Sequence, residues 1–147
     1  MPLPAGGFAL GLCTRAKGPG LVGYFFGPRR SELPGLADAE GLRPANAVWI
    51  QRCSYLGLRS GAWPLLGRLA GWDRDAWPIP LFGRLPALGG AWAVRYDDAD
   101  LFQALGETRT DEETARRLPE DGMAGSGFVE KRLDRLLASA AGSSAAQ

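Results

Sequence analysis

The chain opens on alternation with a period of two. Residues Gly7 to Thr14 set Phe8, Leu10 and Leu12 against Ala9, Gly11 and Cys13, and Leu21 to Phe26 forms a second aromatic and β-branched run. Between them, Lys17-Gly18-Pro19-Gly20 is strong turn chemistry, so the pattern predicts a β-hairpin. Gly27-Pro28 ends the second strand, and Arg29 to Pro44 reads as a connection with one helical turn around Leu36 to Glu40. A third strand is predicted over Ala45 to Cys53, with Val48, Ile50 and Trp49 supplying the buried side.

The middle of the chain is dense in tryptophan. Trp63-Pro64-Leu65-Leu66-Gly67-Arg68-Leu69 is echoed by Trp77-Pro78-Ile79-Pro80-Leu81-Phe82-Gly83-Arg84-Leu85. The echo reads as a duplicated edge strand, where proline is tolerated, or as a chance likeness between two short strands. Ala91 to Tyr96 alternates Trp92, Val94 and Tyr96 against Ala93 and Arg95 and predicts a half-buried strand.

Beyond Tyr96 the pattern turns helical. Asp98 or Asp100 can cap a short turn through Leu101, Phe102 and Leu105, closed by Gly106. Thr110 and Glu113 form a capping box, with Asp111, Glu112 and Glu113 in a first turn whose dipole favours acids. Arg116 and Arg117 close that helix, which has almost no apolar face and is expected at the surface. In the last helix Val129, Leu133, Leu136 and Leu137 line one side, which should pack on the sheet. The following small and polar residues are expected to fray, giving one domain over 1–138 and a flexible tail over 139–147. The predicted class is α+β: about six mostly antiparallel strands in a bent or partly closed sheet, with the C-terminal helix packed on it.

Composition narrows the chemistry. A chain of 147 residues, 46% apolar, is long enough to bury roughly 68–70% of its extended surface without disulfides or metal. It contains no histidine, so a Ser-His-Asp or Cys-His mechanism has no imidazole base, and most catalytic zinc sites lack a ligand. Its two cysteines are too few for a disulfide scaffold or a zinc tetrad. Cys13 and Cys53 lie in apolar runs and are expected to be buried reduced thiols, with a single bridge as the alternative. No cofactor and no metal is expected. The early apolar run Phe8 to Cys13 is short and broken by glycine, unlike a secretory signal. No stretch approaches the roughly 20 apolar residues that span a bilayer, and the expected location is the cytoplasm.

The net charge of +1 conceals a division. Up to Tyr96 there are 11 basic and 5 acidic residues; from Asp97 onward, 6 basic and 11 acidic. Such asymmetry concerns partners and solubility rather than fold, or it marks a solvated helical region that collects acids.

Three groupings could carry chemistry, each with a plainer reading. Gly122-Met123-Ala124-Gly125-Ser126-Gly127 precedes a helix and could present N–H groups to a phosphate, but it lacks a P-loop lysine and reads as a flexible helix entry. Asp73-Arg74-Asp75 and Asp97-Asp98 could supply paired carboxylates for a cation or for acid/base work, yet turn-forming aspartates are commoner. Arg29 and Arg30 beside Tyr24, Phe25 and Phe26, with Arg68 and Arg84, could meet nucleic acid, but so few lysines disfavour phosphate tracking. Of Trp49, Trp63, Trp72, Trp77 and Trp92, most should be buried and one or two should reach the surface.

Four blocks carry a resemblance in their order: Phe8-Ala9-Leu10-Gly11, Leu21-Val22-Gly23-Tyr24-Phe25, Gly61-Ala62-Trp63-Pro64-Leu65-Leu66-Gly67 and Val129-Glu130-Lys131-Arg132-Leu133. Together they resemble the immunity protein 26 family of bacterial polymorphic toxin systems, with Gly-x-Trp-Pro-x-x-Gly the most specific piece. In this chain Pro2 to Gly7 replaces the family's polar opening, and Gly11-Leu12 stands where Gly-Arg is more usual. Of the motif residues, Gly61, Trp63, Pro64, Gly67, Glu130, Arg132 and Leu133 are expected to be structural.

The resemblance implies a non-enzymatic cytosolic protein that neutralises a cognate toxin by direct binding. If the toxin is a nuclease, its phosphate-binding site is basic and an acidic inhibitor surface would steer association. Asp97, Asp98, Asp100, Glu107, Asp111, Glu112 and Glu113 are the candidates for that surface, with Trp72 as an anchor. The alternative from another class is a β-barrel module for a small ligand or nucleic acid, using aromatics around Tyr24 to Phe26 and Trp72 to Trp77. A carboxylate enzyme would need Asp73 or Asp75 to meet another acid across a cleft.

Overall fold

The second strand is apolar without a break because both of its faces are covered, which is the mark of a central strand. In the computed structural model, which describes residues 1–144, β1 (Phe8–Lys17) and β2 (Gly20–Arg30) form an antiparallel hairpin. β3 (Trp49–Ser54) pairs antiparallel with the other side of β2. One face of this sheet carries Ala9, Leu21, Phe25 and Cys53; the opposite face carries Leu10, Val22, Tyr24 and Phe26.

The C-terminal helix covers the first face. Numbered in chain order after α1 (Leu56–Arg59) and α2 (Glu112–Arg117), α3 (Ser126–Ser144) places Val129, Leu133 and Leu137 against that sheet, together with Trp63. Trp77 and Leu101 fill the second face.

A smaller sheet sits beyond that second face. Its strands β4 (Phe82–Arg84), β5 (Trp92–Tyr96) and β6 (Ala104–Arg109) pair antiparallel in that order. Phe82, Val94 and Tyr96 form its own small core. Helix α2 rests on β4 at Gly83, where an added Cβ would lie 1.9 Å from the Ala115 carbonyl oxygen. Only the absence of a side chain permits that approach.

The segment from Pro119 to Ala124 stitches the sheets together. The Gly83 amide donates to the Pro119 carbonyl at 2.8 Å, and the Asp121 amide donates to the Gly83 carbonyl at 2.9 Å, so this stretch runs beside β4. Immediately afterwards β7 (Met123–Ala124) pairs parallel with β3, giving the larger sheet the order β1-β2-β3-β7.

The α+β class, the mostly antiparallel pairing and the covering helix agree with the sequence pattern, but the seven strands divide into two open sheets and no barrel closes. Several local expectations are corrected. The third strand starts at Trp49, and its fully buried residues are Gln51, Arg52 and Cys53, whereas Val48 is exposed and Ile50 and Trp49 are half-buried. The Trp-Pro echo is no duplicated strand: residues 63–69 are irregular, and only Phe82–Arg84 of the second copy is extended. Prolines there remove the donors a ladder needs.

The expected helical turn ending at Gly106 stops near Phe102, because Leu105 and Gly106 belong to β6. The cap of α2 is Asp111 rather than Thr110, its carboxylate accepting from the Thr114 amide at 2.8 Å. Helix α3 continues through Ser144, past the expected start of the tail at 139; residues 145–147 of that tail lie outside the described residues. No helix among the described residues is long and apolar enough to cross a membrane.

Candidate functional site

A bulge in β1 builds the first charged corner. The register changes between Cys13, opposite Gly23, and Arg15, opposite Val22. The extra residue turns Arg15 away from the α3 face and onto the face that meets the smaller sheet. There its guanidinium is buried and donates to Asp98 at 2.7 Å and to the carbonyls of Thr14, Trp77 and Arg74. The ring of Trp72 lies over it, 5.9 Å from Cζ, a cation–π contact.

Arg74 grips the same carboxylate from the outside, with Nε 2.5 Å from Asp98 Oδ2. Burial acts to raise the Asp98 carboxyl, but hydrogen bonds and charge from Arg15 and Arg74 outweigh it and hold the group below its ordinary value. Trp72 and Asp98, far apart in sequence, are thus parts of one exposed corner. Asp97 and Asp100 belong to the same turn: Asp97 Oδ1 accepts from the amides of Ala99 and Asp100, and Asp100 Oδ1 accepts from Phe102. A shallow depression of about 320 Å³ beside them is lined by Arg15, Lys17, Arg74 and Asp98.

The second charged centre lies at the seam and was not visible in the sequence. Arg52, opposite Val22 on β3 and buried, stacks on Tyr96 with its Cζ 3.4 Å from the ring centroid. It donates to the Leu101 carbonyl at 2.7 Å and to Asp121 at 2.8 Å. Asp121 also accepts from Arg84 Nε at 2.6 Å and from the Tyr96 hydroxyl at 2.8 Å. Desolvation pushes its carboxyl upward, and these donors and the charges of Arg84 and Arg52 more than reverse it, keeping Asp121 ionised. One carboxylate therefore ties β3 of the larger sheet to β4 and β5 of the smaller one.

The remaining acids do not converge into an uncommitted face. Glu107 on β6 pairs with Arg84. Asp111 caps α2, while Glu112 and Glu113 pair with Arg116 and Arg117 one turn later. Asp97, Asp98 and Asp100 occupy one turn; Asp111, Glu112 and Glu113 occupy another, at the start of α2. The charge division of the sequence is partly resolved inside the fold, since Arg15, Arg29, Arg52, Arg74 and Arg84 pair with acids that follow Tyr96.

Of the motif residues, Trp63, Glu130 and Leu133 lie together at α3. The Trp63 indole, buried under α3 and over Gly57, donates to Glu130 Oε1 at 2.8 Å. Leu133 is in the same core; Pro64 and Arg132 are exposed. Gly61 and Gly67 have φ of 77° and 146°, conformations that side chains resist.

The other candidate groups are placed as follows by the fold. Tyr24, Phe25, Phe26 and Trp77 are buried in the cores. Asp73 Oδ1 is turned onto the Asp75 amide at 3.1 Å, a local turn. The Gly122–Gly127 segment is no loop but strand β7 leading into α3, and its part from Gly122 to Gly125 borders a depression of about 330 Å³ shared with Glu120 and Asp121, whose charge opposes a phosphate. Cys53 is buried, but Cys13 is exposed at the edge strand, correcting its expected burial, and the two are unbridged. Desolvation pushes Cys13 up to about 11 and Cys53 up to about 12, so neither thiol is a ready nucleophile. Among the described residues no cluster of three or more His, Cys, Asp or Glu is placed to hold a metal. Compared with known proteins, the chain matches no family model, no curated protein and no solved structure.

Proposed function

We propose that the protein is a non-enzymatic immunity protein that neutralises a cognate bacterial toxin in the cytoplasm by direct binding. The observation that supports this reading most is the Trp63–Glu130 bond. Through it Trp63 of one block, buried with Val129 and Leu133 of the other, joins the two blocks most specific to the resemblance.

Two surfaces are available to a basic partner. Asp111, Glu112 and Glu113 are exposed at the start of α2, and the exposed pairs from Glu112 and Glu113 to their arginines contribute little and exchange readily. Trp72, held over Arg15 beside Asp97, Asp98 and Asp100, offers a preorganised aromatic anchor. A nuclease, with a phosphate-binding and therefore basic site, fits the first surface best.

The test is to read the neighbouring genes for a toxin-like open reading frame and to co-express its product with this chain. Protection of the host and co-purification are expected, and charge reversal at Asp111, Glu112 and Glu113 should slow association in a salt-dependent way. A folded protein that neither binds nor protects overturns the reading.

A further inference from the structure

Strand β6 is an edge that no segment covers among the described residues. It ends the sheet order β4-β5-β6, and all of its residues, Ala104 to Arg109, are exposed. Its inner side is fixed by the bond from the Thr110 amide to the Ala91 carbonyl at 2.9 Å and by the register Arg109 opposite Trp92, Thr108 opposite Ala93 and Glu107 opposite Val94. Antiparallel ladders alternate, so Thr110 and Thr108 spend their amides and carbonyls on β5, whereas Glu107 and Arg109 direct theirs outward. No backbone bond from Glu107 or Arg109 to another segment is present among the described residues.

That parity restricts what can dock. An incoming antiparallel strand must place its own outward residues opposite Glu107 and Arg109. When the strand is a second β6, a two-fold axis at Glu107 would set Glu107 against Glu107, a repulsive match. An axis at Thr108 instead sets Glu107 opposite the second copy's Arg109 and Arg109 opposite its Glu107. Each of those pairs exchanges both backbone bonds and joins opposite charges. Arg109 has no ion-pair partner within the chain among the described residues, while Glu107 shares only Arg84. The edge is thus self-complementary, as an isologous interface requires.

We infer that β6 is the contact edge of a symmetric homodimer, pairing antiparallel with a second copy about Thr108 and extending the small sheet across both. This goes beyond toxin binding and does not depend on it. The device answers a general hazard, since an exposed unpaired strand otherwise templates aggregation.

Sedimentation equilibrium of the whole chain, without any partner, tests it against a charge swap. The wild type should associate to a dimer. Arg109→Glu, which sets like charges against each other in both symmetric pairs, should weaken association about tenfold or more. Combining Glu107→Arg with Arg109→Glu restores opposite charges and should restore the dimer. A wild type that stays monomeric up to about 1 mM overturns the inference. So does a dimer indifferent to Arg109→Glu, or one that the double swap fails to rescue while circular dichroism shows native fold. Capture of a foreign strand at β6 by a wild type that remains monomeric counts against it equally.

Discussion

The indole nitrogen of Trp63 donates to Glu130 at 2.8 Å, joining the irregular tryptophan-rich loop to the first turns of α3. Because Trp63 is buried, its N–H has no ready substitute in water. Glu130→Ala should therefore cost about 1–3 kcal/mol, the penalty of an orphaned donor, while Glu130→Gln, which keeps an acceptor, should cost clearly less. Urea denaturation separates the two, and equal losses would remove the hydrogen bond from the account.

At the seam, Asp121→Asn strips the charge that compensates Arg52, and removal of one partner of a buried pair typically costs about 3–5 kcal/mol. The folded carboxyl is held low despite burial, by Arg84, Tyr96 and Arg52. Its contribution is therefore fully present above the ordinary carboxylate value of about 3.9 and is lost as pH falls through the lower folded value. The stability gap between wild type and Asp121→Asn should be widest near neutrality and shrink below about pH 4. Asp98 titrates in the same direction but is half exposed, so solvent screening keeps its share small. An unchanged gap at low pH would mean that folding does not lower the Asp121 carboxyl, and a gap that widens there would mean that the carboxyl is uncharged in the fold.

Gly83→Ala drives a methyl group into the Ala115 carbonyl. Helix α2 must lift from β4, at a cost of about 1–3 kcal/mol, and the amides of α2 should lose protection from hydrogen exchange before those of β2. Full protection of α2 in the variant would contradict the close approach.

Thiol accessibility provides a further check. Cys13 should react with a disulfide reagent in the native state, slowly and faster as pH rises, because its thiol is pushed up to about 11. Cys53, buried and pushed up to about 12, should react only on unfolding. Simultaneous labelling of both in native buffer would show that the α3 face opens.

The hairpin, β5 and α3 were legible because their apolar positions recur with the period of the element they form. Strand β6 was not, since both of its faces meet solvent and residues such as Gly106, Glu107 and Thr108 carry no alternation. Arg52 and Asp121 escaped notice for the opposite reason: a polar residue in a strand is read as outward, and only the arrival of a partner from another segment lets it lie inside. The one trace was Gln51-Arg52 interrupting an otherwise apolar strand. Likewise the bulge at Cys13 and Arg15, which decides the face Arg15 occupies, has no signature in the local alternation. Trp72 and the aspartates of 97–100 were grouped as one candidate surface, but their junction through Arg15 is a fact of topology.

The stitching segment also sets an order of events during synthesis. The hairpin can close as soon as Arg30 has left the ribosome, but the partners of Arg52 lie at Leu101 and Asp121. Until Asp121 emerges, Arg52 can reach the Leu101 carbonyl but lacks the carboxylate that compensates its charge, so burying it between the sheets is costly. A chain stalled before Asp121 already holds Trp77 and Leu101, which cover Val22, Tyr24 and Phe26, but it leaves Arg52 without its carboxylate; one that has passed Ala124 holds every partner of the seam. The same short stretch that joins the sheets in space therefore acts in time as the signal that folding may be completed.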